Sequence, residues 1–399
     1  MACVRSVGRG FFPLDEELEL LPGELTPCGQ ENLVRLSAWM PFSKASEILK
    51  DLLGIQVSKQ VGRSCTEKAG AAYVQLQAEA VERLEQQAPK APEGGEKMQI
   101  SADGAMVPLR HGIWAEVRTL VVGEVGTRQG EVHTRNLSYF SRKENAETFN
   151  RLALVEIHRR GIENAVAVAA VMDGAEWEQG FTDHHCPKAV RILDFSHAAE
   201  HIAAIGASVY GENTPETHAW LKERLERLKH AGPDELLVEC RNLQQQYPDQ
   251  EVISSNLAYL EKRRSQMQYP QFQAQGWPIG SGVVESANKV VVEARMKGAG
   301  MHWADQNVNP LLALRNIICS DRWNEEWPKI EKHIRSQIAS KRRKRAQERA
   351  YQKRLQHWQP LDEVLPAVPQ DIPAQKKPNP WRNFKHGKAL FQRTAPPKN

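Results

Sequence analysis

Val166-Ala-Val-Ala-Ala-Val-Met-Asp173-Gly174 is an apolar run of strand length that stops on an acid followed by a glycine. The run predicts a strand, and the Asp-Gly pair its end. Three strand-like segments precede it: Met98–Ala102 leads into Asp103-Gly104, Trp114–Val122 is rich in β-branched residues, and His133–Phe140 alternates in part. Between these and Val166, residues Glu144–Arg160 carry the apolar spacing of an amphipathic helix. After Gly174 comes a helical stretch, then a short strand, Ala189–Leu193, which stops at Asp194. The order is therefore β-β-β-α-β-α-β, with acids repeatedly at strand ends.

Three antiparallel-type strands followed by helix–strand units define an α/β chain of ribonuclease H-like order. In such a sheet the first and fourth strands are neighbours, so Asp103 and Asp173 are expected to face one another. Residues 198–277 read as an all-helical insertion with long polar faces. Gly280-Ser-Gly282 restarts the core, with a helix to about Lys297 and further helices over 302–350. Ahead of the sheet, Leu33, Leu36 and Met40 lie on one helical face, and Ala45, Ile48, Leu49, Leu52 and Leu53 on the next. Gly54 stops that helix and Ser58 offers an N-cap for another from about Lys59. Helix, glycine turn, helix fits a DNA-binding helix-turn-helix and also any packed helical hairpin. The expected organisation is a helical N-terminal DNA-binding region over 1–87, a Pro/Gly linker over 88–97, core over 98–197, insertion over 198–277, core and C-terminal helices over 278–350, and a polar, proline-rich tail over 351–399, extended or disordered from 358.

No apolar run approaches the roughly 20 residues that span a bilayer, and the N-terminus has no secretory pattern. A cytoplasmic protein without membrane partners is expected. Six cysteines without a CxxC pair read as reduced, mostly buried thiols. The net charge of +4 hardly favours nucleic acid by itself. Its distribution does more: Lys341, Arg342, Arg343, Lys344 and Arg345 form one basic block, which either neutralises phosphates or is a solvated helix end.

Phosphoryl transfer on DNA needs little covalent help from protein; it needs two hard cations about 3.5–4 Å apart, held by oxygen ligands. Asp103, Asp173 and Glu285 are candidates to hold them. Glu285 follows Gly280-Ser-Gly282, where the chain can turn a helix back across the sheet. On that helix Glu285, Asn288, Val292 and Arg295 are expected to share one side, with Val284, Ala287, Val291 and Ala294 on the buried side. Asp194-Phe-Ser-His197, with His201 one turn on, suits phosphate contact, ligand orientation, a zinc pair, or simple capping. Asp194 also competes with Asp173 for the second metal position.

Several segments together resemble the DDE transposases of bacterial ISKra-type insertion sequences. They are Ser101-Ala-Asp-Gly-Ala-Met-Val-Pro-Leu109, Val171-Met-Asp-Gly-Ala-Glu-Trp177, Ile192-Leu-Asp-Phe-Ser-His-Ala-Ala-Glu-His201 and Ile279-Gly-Ser-Gly-Val-Val-Glu-Ser-Ala-Asn-Lys289. Arg295-Met-Lys-Gly-Ala-Gly-Met-His-Trp303, Leu314-Arg315 and Pro380-Trp-Arg382 extend the likeness over nearly the whole chain. The family is similar to the wider Mutator-like group, whose catalytic domains are ribonuclease H-like with a helical insertion before the last acid. The resemblance implies metal-dependent cleavage and strand transfer with two Mg2+ (or Mn2+) ions on Asp103, Asp173 and Glu285. It implies an auxiliary Asp194-x-x-His197 pair and phosphate contacts from Asn288, Lys289, Arg295 and Lys297. Its expected partners are DNA, as terminal inverted repeats and target, and further copies of the chain in a homo-oligomer at the nucleoid. Relatives usually begin earlier, with cysteine pairs; here Cys3 stands alone and Ser6 occupies the place of a second cysteine. A truncated copy is therefore expected, and the alternative function is an inactive, transposase-derived DNA-binding protein.

Overall fold

Apolar residues at alternate and at consecutive positions build one mixed sheet of five strands: β1 (Lys97–Pro108), β2 (Trp114–Arg128), β3 (Glu131–Arg142), β4 (Ala167–Met172) and β5 (Val190–Leu193). This computed structural model describes residues 25–357 and the backbone of two paired strands, Val4–Ser6 and Arg9–Phe11. The segment around Cys3 and Ser6 (side chains) and the tail from 358, with Pro380-Trp-Arg382, lie outside the described residues. The chain divides into two compact units, Met1–Ser340 and Lys341–Asn399.

The sheet order is β3-β2-β1-β4-β5. The first three strands are antiparallel, whereas β4 runs parallel to β1, and β5 parallel to β4. First and fourth strands are thus neighbours. Strand β1 does not end before Asp103 but runs through it, with Asp103 opposite Thr119. Strands β2 and β3 are longer than their apolar segments because polar residues continue the ladder to a tight turn at Gln129-Gly130, both at positive φ (54° and 84°).

Strand β4 is apolar throughout because both its faces are covered. Ala170 and Met172 join Ile100, Leu120, Phe140, Phe149 and Phe181 under helices α4 (Ala146–Arg159) and α5 (Glu176–His185). Ala169 and Val171 face the insertion. That insertion is all-helical: α6 (Phe195–Tyr210), α7 (Pro215–Ala231), α8 (Asp234–Gln246), α9 (Glu251–Lys262) and α10 (Tyr269–Ala274). Its apolar residues, among them Ile205, Trp220, Leu237 and Leu260, continue the core of the sheet.

The N-terminal helices are α1 (Pro27–Trp39), α2 (Phe42–Leu53) and α3 (Lys59–Gln87). Gly54 ends α2 in the left-handed region (φ 67°), and the Ser58 hydroxyl accepts the Val61 N–H at 3.3 Å to start α3. Cys65, Ala69 and Ala72 of α3 pack against Ala313, Leu314 and Ile317 of α12 (Val308–Cys319). Gly70 makes this approach possible, since a Cβ there would overlap the Pro310 backbone. The last helix, α13, spans Trp323–His357, so residues 351–357 of the expected tail are helical. No helix among the described residues is long and apolar enough to cross a membrane. Cys65, Cys186 and Cys240 are buried, Cys319 is half-buried and Cys28 exposed; all five are free thiols.

The helix after Gly280 departs from the expected pattern. It opens as α11 (Gly282–Ala287), passes through a π-helical turn, Asn288–Glu293, and closes with Ala294–Met296. The wider turn shifts the phase of every later residue relative to a 3.6-residue period. Val284, Ala287 and Val291 are buried as expected, but Ala294 is exposed and Asn288, Val292 and Arg295 are buried. Arg315 occupies the space opened by the turn, its Nε and Nη2 donating to the Val291 and Val290 carbonyls.

Candidate active site

The parallel register of β1 and β4 runs from Lys97↔Ala167 to Ile100↔Ala170. Continued three residues further, it sets Asp173 beside Asp103 on one face of the sheet. Asp103 is half-buried and doubly tied: its Oδ1 accepts the Gly104 N–H at 2.6 Å, and its Oδ2 accepts the Asn288 amide at 2.8 Å. Burial pushes its carboxyl above the usual range; the charges of Glu285 and Glu116 add to the rise, against the lowering effect of those two hydrogen bonds. Glu285, exposed on the first turn of α11, therefore lies within electrostatic reach of Asp103. Asp173 is pushed up to about 6, by burial and then by Asp103, with His197 opposing the rise. Among the described residues none of Asp103, Asp173 and Glu285 is in an ion pair.

Asp194 plays a different part. Its Oδ2 accepts the His197 N–H at 3.0 Å and so caps α6, while its Oδ1 accepts the Ser281 N–H at 2.6 Å. The Phe195 N–H also donates to the Ile279 carbonyl, at 3.0 Å. Buried and using both oxygens, Asp194 pins the point where the chain leaves the sheet to the point where it returns. That pin delivers α11, and with it Glu285, to Asp103. The imidazole of His197 lies near Asp173, with its Nε2 3.3 Å from that of His201.

Two residues expected at phosphates beside the carboxylates are buried instead. Asn288 is buried and holds Asp103. Arg295 is 1% exposed, its Nε donating to the Ser37 carbonyl at 3.0 Å. Both face inward, on the side of Val284 and Val291. Lys289 and Lys297 are exposed, the latter paired with Glu293 at 2.6 Å. Lys341, Arg342, Arg343, Lys344 and Arg345 are exposed on α13.

Three residues that sequence reading did not single out hold the turn carrying Asp173. Tyr259 Oη donates to the Asp173 carbonyl, and the Arg263 guanidinium donates through Nε, at 2.8 Å, and Nη2 to the Gly174 carbonyl. The Arg263 guanidinium carbon lies over the Tyr259 ring, 3.8 Å from its centre, and His201 stacks on that same ring at 3.8 Å. Gly174 (φ 82°) fits only as glycine, because a Cβ would come within 2.5 Å of Arg263 Nε. From the other side Glu178 Oε2 accepts the Gly174 and Ala175 N–H groups, at 2.9 and 3.2 Å. Glutamate at the third position of a helix is half of a capping box, a signal readable in sequence. Tyr259 and Arg263 are one helical turn apart, but nothing local names their target.

Burial, then Asp173, pushes the Glu178 carboxyl up to about 8. An acid raised in the folded state favours folding fully below its ordinary value of 4.5 and loses that contribution as pH rises through about 8. Glu178→Gln keeps an acceptor oxygen and removes the ionisation. In chelator, urea unfolding should show wild-type stability falling between pH 5 and 8.5 by on the order of 2–3 kcal/mol relative to the glutamine variant. Parallel pH profiles would show that Glu178 is ionised throughout.

The donor set suits a hard divalent cation: carboxylate oxygens within electrostatic reach of one another and, among the described residues, outside any ion pair. Among the described residues no three His, Cys, Asp or Glu side chains already form a metal-binding group. Magnesium keeps several of its waters, so fit here rests on oxygen donors and charge and needs no closed protein cage. No family model matches the chain, and no curated protein matches it.

Proposed function

We propose that the chain is a DDE transposase with a ribonuclease H-like core, which cleaves and joins DNA at Asp103, Asp173 and Glu285. The observation that carries this reading is the register setting Asp103 beside Asp173, with α11 bringing Glu285 to the same face. Two Mg2+ or Mn2+ ions, when bound there, supply an activated attacking oxygen and a stabilised leaving oxygen. Asp103, Asp173 and Glu285 would hold them. Asp173 is preferred over Asp194 because the register runs Asp173 up to Asp103, whereas Asp194 is buried between the start of α6 and Ser281. Asn288 orients Asp103, His197 stands beside Asp173, and Lys289, Lys297 and the Lys341–Arg345 block supply charge for phosphates.

The test uses the full chain, a duplex ending in the inverted repeats that flank its gene, and Mg2+ or Mn2+. Strand cleavage leaving a 3′-hydroxyl, transfer of that end to a second duplex, and loss of both in EDTA are expected. Band shift without cleavage would replace the enzyme by a transposase-derived DNA-binding protein. Cleavage of branched DNA regardless of terminal repeats would instead favour a junction nuclease.

A further inference from the structure

The block Arg295–Trp303 takes no part in the carboxylate site, yet it walls a cavity of about 260 Å³. Arg295, Phe42 and Trp303 line its inner side, and Arg63, Arg110 and His302 are also at its walls. The Arg295 guanidinium lies 4.8 Å from the Phe42 ring and 5.0 Å from the Trp303 ring. Its Nη2 is buried with no hydrogen-bond partner. Arg315, the neighbouring buried cation, spends its nitrogens on the Val291, Ala38 and Val290 carbonyls. Neither guanidinium is in an ion pair among the described residues, although an unpaired buried charge is destabilising. Burial and then Arg315 push Arg295 down to about 10, which leaves it protonated at neutral pH. The one acid on the cavity wall, Glu67, is already engaged by Arg63 at 3.7 Å and by the Asn307 amide at 2.6 Å.

We propose that this cavity is an oxyanion site that takes a phosphate group, held by Arg295 from within and by Arg63 and Arg110 at its mouth. Three guanidiniums against one acid leave surplus positive charge, and the planar N–H fork matches phosphate oxygens. The site's place suggests the source. Trp303 pairs with Leu109, and the Trp303 N–H donates to the Pro108 carbonyl at 3.1 Å, so the cavity is fixed to the far end of β1. Along an extended strand that is about 20 Å from Asp103, some six nucleotides of duplex at about 3.4 Å each. A DNA phosphate beyond the reacting one fits this spacing; that source rests on the transposase reading, whereas the oxyanion chemistry does not.

The experiment compares the full chain with the double variant Arg63→Gln/Arg110→Gln, whose changed residues are exposed and leave the buried packing alone. Inorganic phosphate at constant ionic strength should raise the melting temperature of the wild type and not of the variant. Equal shifts in both, or none in the wild type, would overturn the site. In the second arm, the slope of log affinity for duplex DNA against log salt should fall by about 0.9 in the variant, one phosphate's worth. An unchanged slope alongside lost phosphate protection keeps the oxyanion site and overturns DNA as its source. A chain that binds phosphate but no duplex at all would remove the transposase reading and leave the site standing.

Discussion

Asp103→Asn is expected to abolish strand cleavage, by about 10³-fold or more, while duplex binding persists. The substitution keeps the size of the side chain and an oxygen for the Gly104 N–H, but replaces the anionic oxygen that accepts from Asn288 by an amide nitrogen, to which Asn288 can turn its own unpartnered oxygen. It also removes a charge that the fold tolerates poorly. Burial, Glu285 and Glu116 all disfavour the ionised Asp103 carboxyl, so the neutral amide should unfold no earlier than wild type in chelator at pH 7 and above. A protein as stable as its parent, binding DNA and unable to cut it, separates chemistry from folding. Glu285→Ala supplies the second arm. Glu285 is exposed, so its loss leaves the packing alone, and the same loss of cleavage is expected. Undiminished cleavage by Glu285→Ala would remove the assignment. A lower melting temperature for Asp103→Asn would show that its carboxylate is structural.

What could be read from sequence follows how local each signal is. Strand β4 and its terminal Asp173 were legible because a short apolar run closed by Asp-Gly has few other readings. Gly54 and Ser58 marked helix ends for equally local reasons, backbone handedness and a capping hydroxyl. The π turn at Asn288–Glu293 was not legible, since periodicity assumes 3.6 residues throughout. Asn288 and Arg295 were grouped with Glu285 on an outward face because polar side chains are seldom fully buried, yet at about 100° per residue they lie only about 40° and about 20° from buried Val284. The role of Asp194 was half legible: an Asp at a helix start suggests a cap. Its second bond, to Ser281 N–H, spans 87 residues and appears only once the insertion is folded out of the way. The same distance in sequence hid Tyr259 and Arg263, whose carbonyl targets lie 86 and 89 residues earlier.

Arg263→Gln should therefore raise the Mn2+ concentration needed for half-maximal cleavage by about 10- to 100-fold, the range seen when a group that orients a metal ligand is lost. Arg263 sets Asp173 indirectly. It holds the Gly174 carbonyl, Tyr259 holds the Asp173 carbonyl, and Glu178 draws the adjoining N–H groups the other way. With both peptide planes fixed, Asp173 can meet Asp103 in only a narrow range of orientations, despite their mutual repulsion. Glutamine reaches less far and loses the two-pronged donation, so the turn can swing the carboxylate away. Saturating metal should pull it back, and the maximal rate should recover in large part. Tyr259→Phe, lacking the hydroxyl, should shift the metal requirement in the same direction, whereas Arg263→Lys, keeping one donor, should fall between. Direct Mn2+ binding, followed by the loss of the free-ion electron paramagnetic resonance signal, should weaken in parallel with no DNA present. A merely structural role predicts another pattern: lower thermal stability and a rate reduced equally at every Mn2+ concentration, with the half-maximal point unmoved. Because Tyr259 and Arg263 belong to the insertion and Asp173 follows directly on β4, a shifted metal requirement would make the insertion a working part of the carboxylate site.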